Sequence, residues 1–147
     1  MSNCRSNDPS SRQKHDNLDF EIEFFECLVA ESPDFVEALI PLADAYTKKG
    51  MYQKGLDTDE KISRLRPADP LVLYNLACSY ALLGRIPQAL CSMEKALFLG
   101  YRDLKQIEGD ADLENLRKDP RLREMLMRFF LPKVDPEGSP GKPSNQI

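Results

Sequence analysis

The chain has 147 residues, of which 41% are hydrophobic and 30% charged, a composition that suits one soluble globular domain with a modest core. Its 24 acidic residues outnumber 20 basic ones, and the resulting charge of −4 and pI near 5.1 repel phosphate backbones and anionic lipid, so neither nucleic acid nor membrane is expected as a partner. No stretch approaches the ~18 consecutive apolar residues of a membrane span, and MSNCRSNDPSSRQKHDN lacks the apolar run of a signal peptide, so a cytoplasmic protein is expected.

Residues 1–16 are polar and rich in Ser, Asn and Asp. The segment 132–147, PKVDPEGSPGKPSNQI, holds four prolines and two glycines. Neither buries enough apolar surface to offset the entropy of ordering, and both are expected to be disordered, leaving a helical domain over 17–131. Within it, Phe20, Phe24, Cys27, Leu28 and Glu31 set out a first helix that stops before Ser32 and Pro33. Phe35, Leu39, Leu42, Ala43 and Tyr46 set out a second, closed by Gly50, where a left-handed cap suits a residue without a β-carbon. Leu56, Ile62 and Leu65 mark a third, ended by Pro67.

Asp69 then offers an N-cap with Pro70 in the first turn, and Leu73, Leu76, Ala77 and Tyr80 form one stripe that stops at Gly84. Pro87 opens the next helix, carried by Ala89, Leu90, Met93, Ala96 and Leu97 and closed by Gly100. Beyond Asp103 the phase is lost: DLKQIE and ADLENLR are short segments. Asp119 and Pro120 introduce a last helix with Leu122, Met125, Leu126, Phe129 and Phe130 on one face.

Leu42, Ala43, Tyr46 and Gly50 recur as Leu76, Ala77, Tyr80 and Gly84, and the ungapped overlay of 36–69 on 70–103 gives ten identities in 34 positions. A two-helix unit of this period resembles the tetratricopeptide repeat, with Leu39, Leu42, Ala43, Tyr46, Gly55 and Pro67 fitting the first unit and Leu73, Leu76, Ala77, Tyr80, Ala89 and Met93 the second. The resemblance implies an all-α, right-handed array of antiparallel helical hairpins, with full repeats at 36–69 and 70–103 and a capping segment at 104–131. In such an array the recurring residues are packing instructions: small side chains let paired helices approach, and leucines and tyrosines fill the seams.

Three positions depart from that pattern. Asp59 stands where a large apolar residue belongs, as Met93 does one unit later, so it is expected to accept a hydrogen bond from a tyrosine or a basic side chain. Tyr101 replaces the closing proline. Pro41 lies inside a helix, either as a tolerated kink at Glu37 or as a reshaped groove.

No catalytic, cofactor or metal site is expected. The single histidine, His15, lies in the N-terminal segment; the four cysteines, Cys4, Cys27, Cys78 and Cys91, form no CxxC pair; and Asp110, Asp112 and Glu114 read as helix caps and solvated charges. Lys48, Lys49 and Lys54 read as a solvated helix end. The resemblance implies instead a protein-protein interaction module whose groove takes a peptide, with Ile40, Asp44, Thr47, Lys48, Leu71, Tyr74, Asn75, Cys78 and Leu82 on its surface and Tyr74 as anchor. That groove is expected to be weakly charged and partly apolar. Only Asn75 matches the clamp by which some relatives hold acidic peptide ends, so that ligand is not expected. Two further readings stand beside it: a small secretion-type chaperone covering apolar segments of a client, and a redox protein using Cys78 and Cys91.

Overall fold

A computed structural model describes residues 9–132, with side chains from residue 17. It is all-helical among these residues: α1 (Pro9–Glu31), α2 (Val36–Lys49), α3 (Tyr52–Leu65), α4 (Pro70–Leu82), α5 (Ile86–Phe98), α6 (Leu104–Gly109), a 3-10 turn at Ala111–Leu113, α7 (Glu114–Arg117) and α8 (Pro120–Phe130). From α1 to α5 each helix packs against its neighbours in sequence.

Local chemistry sets the ends. Gly50 closes α2 with φ of 87°, and Gly84 and Gly100 follow α4 and α5 with φ of 73° and 111°, a region costly for any residue bearing a β-carbon. Asp69 caps α4 by accepting from the backbone N–H groups of Leu71 and Val72, and Asp103 caps α6 by accepting from that of Gln106. Pro41 sits within a continuous α2, so the Glu37 carbonyl lacks its intrahelical donor while the helix persists through its packed face.

The hairpin α2/α3 turns on Gly50 and Met51. A β-carbon at Gly55 would meet Thr47 Oγ1 at 2.8 Å and the Ala43 carbonyl at 3.6 Å, so the first turn of α3 lies against the last turns of α2. Ala77 and Ala89 are fully buried at the matching contact of α4/α5. Two hydrogen bonds recur one unit apart: Tyr46 donates to Glu26 (2.5 Å) and Tyr80 to Glu60 (2.7 Å), each from the first helix of a hairpin back to the preceding helix.

The largest core joins α4 and α5 to Ile107, Leu113, Leu116, Leu122 and Met125 of the closing segment. Two smaller clusters hold α2 against α1 and α3, one around Leu39 and Ile62 and the other around Ile22 and Leu42. α8 turns Leu122 and Met125 inward and leaves Leu126, Phe129 and Phe130 half-buried.

Of the segment 1–16 expected to be disordered, the structure describes the backbone from Pro9, where α1 begins with a residue that needs no N–H at the first helical position. The residues that set out this helix in the sequence are not the face it buries, Leu28 alone among them being half-buried. Phe20, Phe24 and Cys27 are exposed, with the two rings stacked 6.5 Å apart, while Ile22, Phe25 and Val29 face the neighbouring helix. Both sets have helical spacing, and only the tertiary partner selects between them. Residues 1–8, and the tail expected to be disordered beyond Pro132, lie outside the described residues.

Candidate functional site

A cavity of about 700 Å³ opens between α2, α3, α4 and the segment from Tyr101 to Asp112. α2 supplies Ile40, Pro41, Ala43, Asp44 and Thr47; α4 supplies Leu71, Val72, Tyr74, Asn75, Cys78 and Ser79; Asp59 and Ile62 of α3 reach the same space. Seven of the nine residues expected on a groove therefore converge, together with Pro41. Lys48 and Leu82 do not line it: Lys48 points to solvent and pairs with Asp44 one helical turn back at 2.9 Å, and Leu82 is half-buried away from the opening.

The closing segment makes the fourth wall, contributing Tyr101, Asp103, Gln106, Asp110 and Asp112. This changes the role of Tyr74. Expected as an exposed anchor, Tyr74 is only 3% exposed; its ring stacks on Tyr101 with centroids 4.4 Å apart and planes 7° from parallel, and its hydroxyl donates to Asp110 Oδ2 at 2.7 Å. Asp110 gathers further donors, the Gln106 side-chain amide at 3.0 Å and the Cys78 thiol at 3.8 Å on the same oxygen, and the Asp112 backbone N–H at 3.0 Å on the other. Arg117 donates to the Asp110 and Ile107 carbonyls from behind, fixing the turn. Tyr74 is thus a structural tie, and the apolar side chains left open at the mouth are Leu71, 55% exposed, and Ile40, 39% exposed.

The expectation of a weakly charged groove is also corrected. Asp44, Asp59, Asp103, Asp110 and Asp112 line the cavity, and among the described residues no lysine, arginine or histidine does. Asp59 is 7% exposed, and its Oδ2 accepts from Ser79 Oγ at 2.5 Å; the donor is a serine, where a tyrosine or base was expected, because Ser79 is the α4 residue packed opposite it. Among the described residues no cation reaches that carboxylate. Burial, with a contribution from Asp44, pushes the Asp59 carboxyl up to about 6 even though the Ser79 bond favours the anion. Burial first, then the Asp110 and Asp44 charges, raises Asp112 as well. At Asp110 burial works in the same direction, but its four donors together outweigh it and hold the group below the usual carboxylate range. Burial pushes the Cys78 thiol up, the reverse of what a reactive cysteine needs, and Cys91 is exposed elsewhere on α5.

The carboxylates that sequence reasoning missed as wall groups are Asp59, Asp103, Asp110 and Asp112. Asp59 was visible as a polar intruder in an apolar pattern, whereas Asp110 and Asp112 carried only the signature of caps. Among the described residues no helix is long and apolar enough to cross a membrane, and no three potential ligand side chains are placed to hold a metal ion.

No protein-family model matches the chain. A curated relative, a chloroplastic protein of Arabidopsis thaliana, is 34% identical over 87 residues. That stretch takes in 57% of this chain and 26% of the relative, so the likeness spans well under two thirds of that protein's length.

Proposed function

We propose that the chain is a non-catalytic interaction module of the tetratricopeptide-repeat type, a right-handed hairpin array that binds a peptide segment of another protein in the cavity between α2 and α4. The observation that carries this reading is the cavity itself, about 700 Å³ and walled by the first helices of two successive hairpins, with Leu71 and Ile40 exposed at its mouth. Its volume lies within the roughly 300–1,000 Å³ of ordinary ligand sites. The recurrence of the Tyr46–Glu26 and Tyr80–Glu60 bonds, and of the buried small residues Ala43 and Ala77, supports the repeat assignment. The cytoplasmic setting expected from the sequence and the chloroplast address in the relative's name are competing proposals about compartment, separated by imaging a fluorescent fusion.

The test is affinity capture from native extract with mass spectrometry, using wild type, Leu71→Ser and Lys61→Ala. Leu71 is exposed at the mouth, so removing its apolar side chain leaves the fold intact and weakens capture of a groove-bound partner by about tenfold. Lys61 of α3 lies outside the cavity and pairs with Asp34 at 3.8 Å, and its truncation leaves capture unchanged. The opposite pattern places the partner on the outer face. A chaperone for apolar client segments is the second reading, favoured by the exposed Phe20 and Phe24 on α1; under it, Phe24→Ser reduces suppression of client aggregation while Leu71→Ser does not.

A further inference from the structure

We propose that the occupant of this cavity is an extended protein segment that inserts a lysine or arginine side chain between Asp44, Asp59 and Asp112. The inference rests on the reading of the cavity as a peptide site and adds the chemistry of the ligand.

Five carboxylates, from α2, α3 and the closing segment, line one space with no basic residue among them in the described residues. Asp44, at the rim, has Lys48 as an exposed partner, a contact that solvent largely screens. The inner groups have no such relief. Asp59 is buried, takes one hydroxyl donor on one oxygen, and has neither a second donor nor a cation among the described residues. A buried carboxylate in that state is costly, and its second oxygen has an unmet demand that a ligand N–H donor satisfies. Asp112 has no hydrogen-bond donor to its side chain among the described residues and feels Asp110 and Asp44 as repulsive neighbours. An incoming cation relieves these strains together.

The distribution of the carboxylates favours a side chain over a metal ion. Among the described residues no three potential ligands converge on one point, so the negative charge is spread over facing walls. A lysine or arginine suits such a space: its aliphatic stem lies along Ile40, Ile62 and Val72 while its head reaches the carboxylates beyond, and a guanidinium engages more than one of them at once. Leu71 at the mouth then packs against an apolar neighbour of the inserted residue.

The experiment pans a library of short random peptides on the full chain and measures selected peptides, fluorescein-labelled, by anisotropy. Wild type is compared with Asp59→Asn, with the double variant Asp44→Asn/Asp112→Asn, and with Arg64→Ala on the outer face of α3, each checked for native circular dichroism. Enrichment of Lys and Arg is expected, with binding weakened roughly tenfold in Asp59→Asn and in the double variant, unchanged in Arg64→Ala, and falling with added salt. Peptides that compete for the cavity and respond to Leu71→Ser, but show no basic enrichment and no loss in the Asn variants, overturn the cationic inference and leave the groove reading standing. Absence of enriched peptides, or binding indifferent to Leu71→Ser and to the Asn variants alike, overturns both. Spermidine that saturates the cavity more tightly than the selected peptides makes the occupant a free polyamine and also overturns the proposal.

Discussion

Ile40 and Tyr74 stand one repeat apart at equivalent places in the two hairpins, and so do Asp44 and Cys78. The first of each pair is exposed and the second buried. The helices themselves are alike: both end in a left-handed glycine region, both bury small residues against a partner helix, and both tie a tyrosine to a glutamate on the preceding helix. What differs is the neighbour. The 3-10 turn and α7 pack across α4, and the roof they form converts Tyr74 and Cys78 from groove surface into wall. α2 is left open. A repeated sequence therefore fixes the hairpin, while the non-repeating segment decides which hairpin keeps an open face on the cavity.

The largest effect on this contrast comes from unpinning the roof. Ile107, the fully buried residue of α6, belongs to the same core as Leu113 and Leu116. Ile107→Ala should cost about 2–5 kcal/mol in urea unfolding and make Tyr74 more accessible to quenchers. A small change in midpoint with Tyr74 still shielded would mean the roof is held by its polar ties alone.

The two hairpins also differ at one core position. Met93 fills its place with no exposed surface, whereas the equivalent Asp59 is a carboxylate whose pKa is raised from 3.8 to about 6. The folded state thus holds this proton more tightly than the unfolded chain. Its contribution is neutral below the unfolded value, becomes unfavourable as pH rises from about 4 to about 6, and stays so above, amounting to roughly 2–3 kcal/mol. Asp59→Leu removes that cost but leaves Ser79 without its acceptor, worth about 1 kcal/mol, so a net gain of about 1–2 kcal/mol is expected at neutral pH. The difference between variant and wild type should shrink as pH falls through 6 to 4, which separates Asp59 from Asp110, whose lowered pKa acts in the opposite direction. A gain independent of pH would point to packing alone.

Ala77→Leu sharpens the comparison at the helix contact. Ala77 has no free surface against α5, and overpacking it should cost about 1–3 kcal/mol by denaturant melts. Ala43→Leu, beside the glycine contact of α2/α3 and next to the open cavity, should cost less because one side can yield. Equal costs would show that the two hairpins are equally tight and that the roof adds nothing to the rigidity of the second.

Much of this fold is written locally. Gly50, Asp69 and Pro70 mark helix ends through backbone geometry and capping that involve only their neighbours, so they are readable without a structure. The buried face of α1 is not, because Ile22, Phe25 and Val29 and the alternative Phe20, Phe24 and Cys27 are both helical stripes. The site was legible on its α2 and α4 sides, where the repeat fixes which positions face the same way. Its acidity was not, because Asp110 and Asp112 enter the cavity through a segment whose docking depends on Ile107, Leu113 and Leu116 meeting α4 and α5 far away in sequence.

The smallest expected effect concerns the feature the two hairpins share. Tyr46 donates to Glu26 and Tyr80 to Glu60, in both cases at a partly buried seam, so Tyr46→Phe and Tyr80→Phe each remove one bond to a carboxylate while keeping the ring. Each should cost about 1 kcal/mol. Glu26 and Glu60 keep access to water once the hydroxyl is gone, which limits the penalty of leaving them without that partner. If the hairpins are equivalent in their seams, the two costs agree, and the double variant shows their sum because the sites share no partner. A cost at Tyr80 well above that at Tyr46 would place the rigidity of the second hairpin in its seam with the first as well as in its roof. The reverse would mean that α1, held to α2 by this bond and by the Lys49–Asp19 pair, leans on its polar ties more than on Ile22 and Val29.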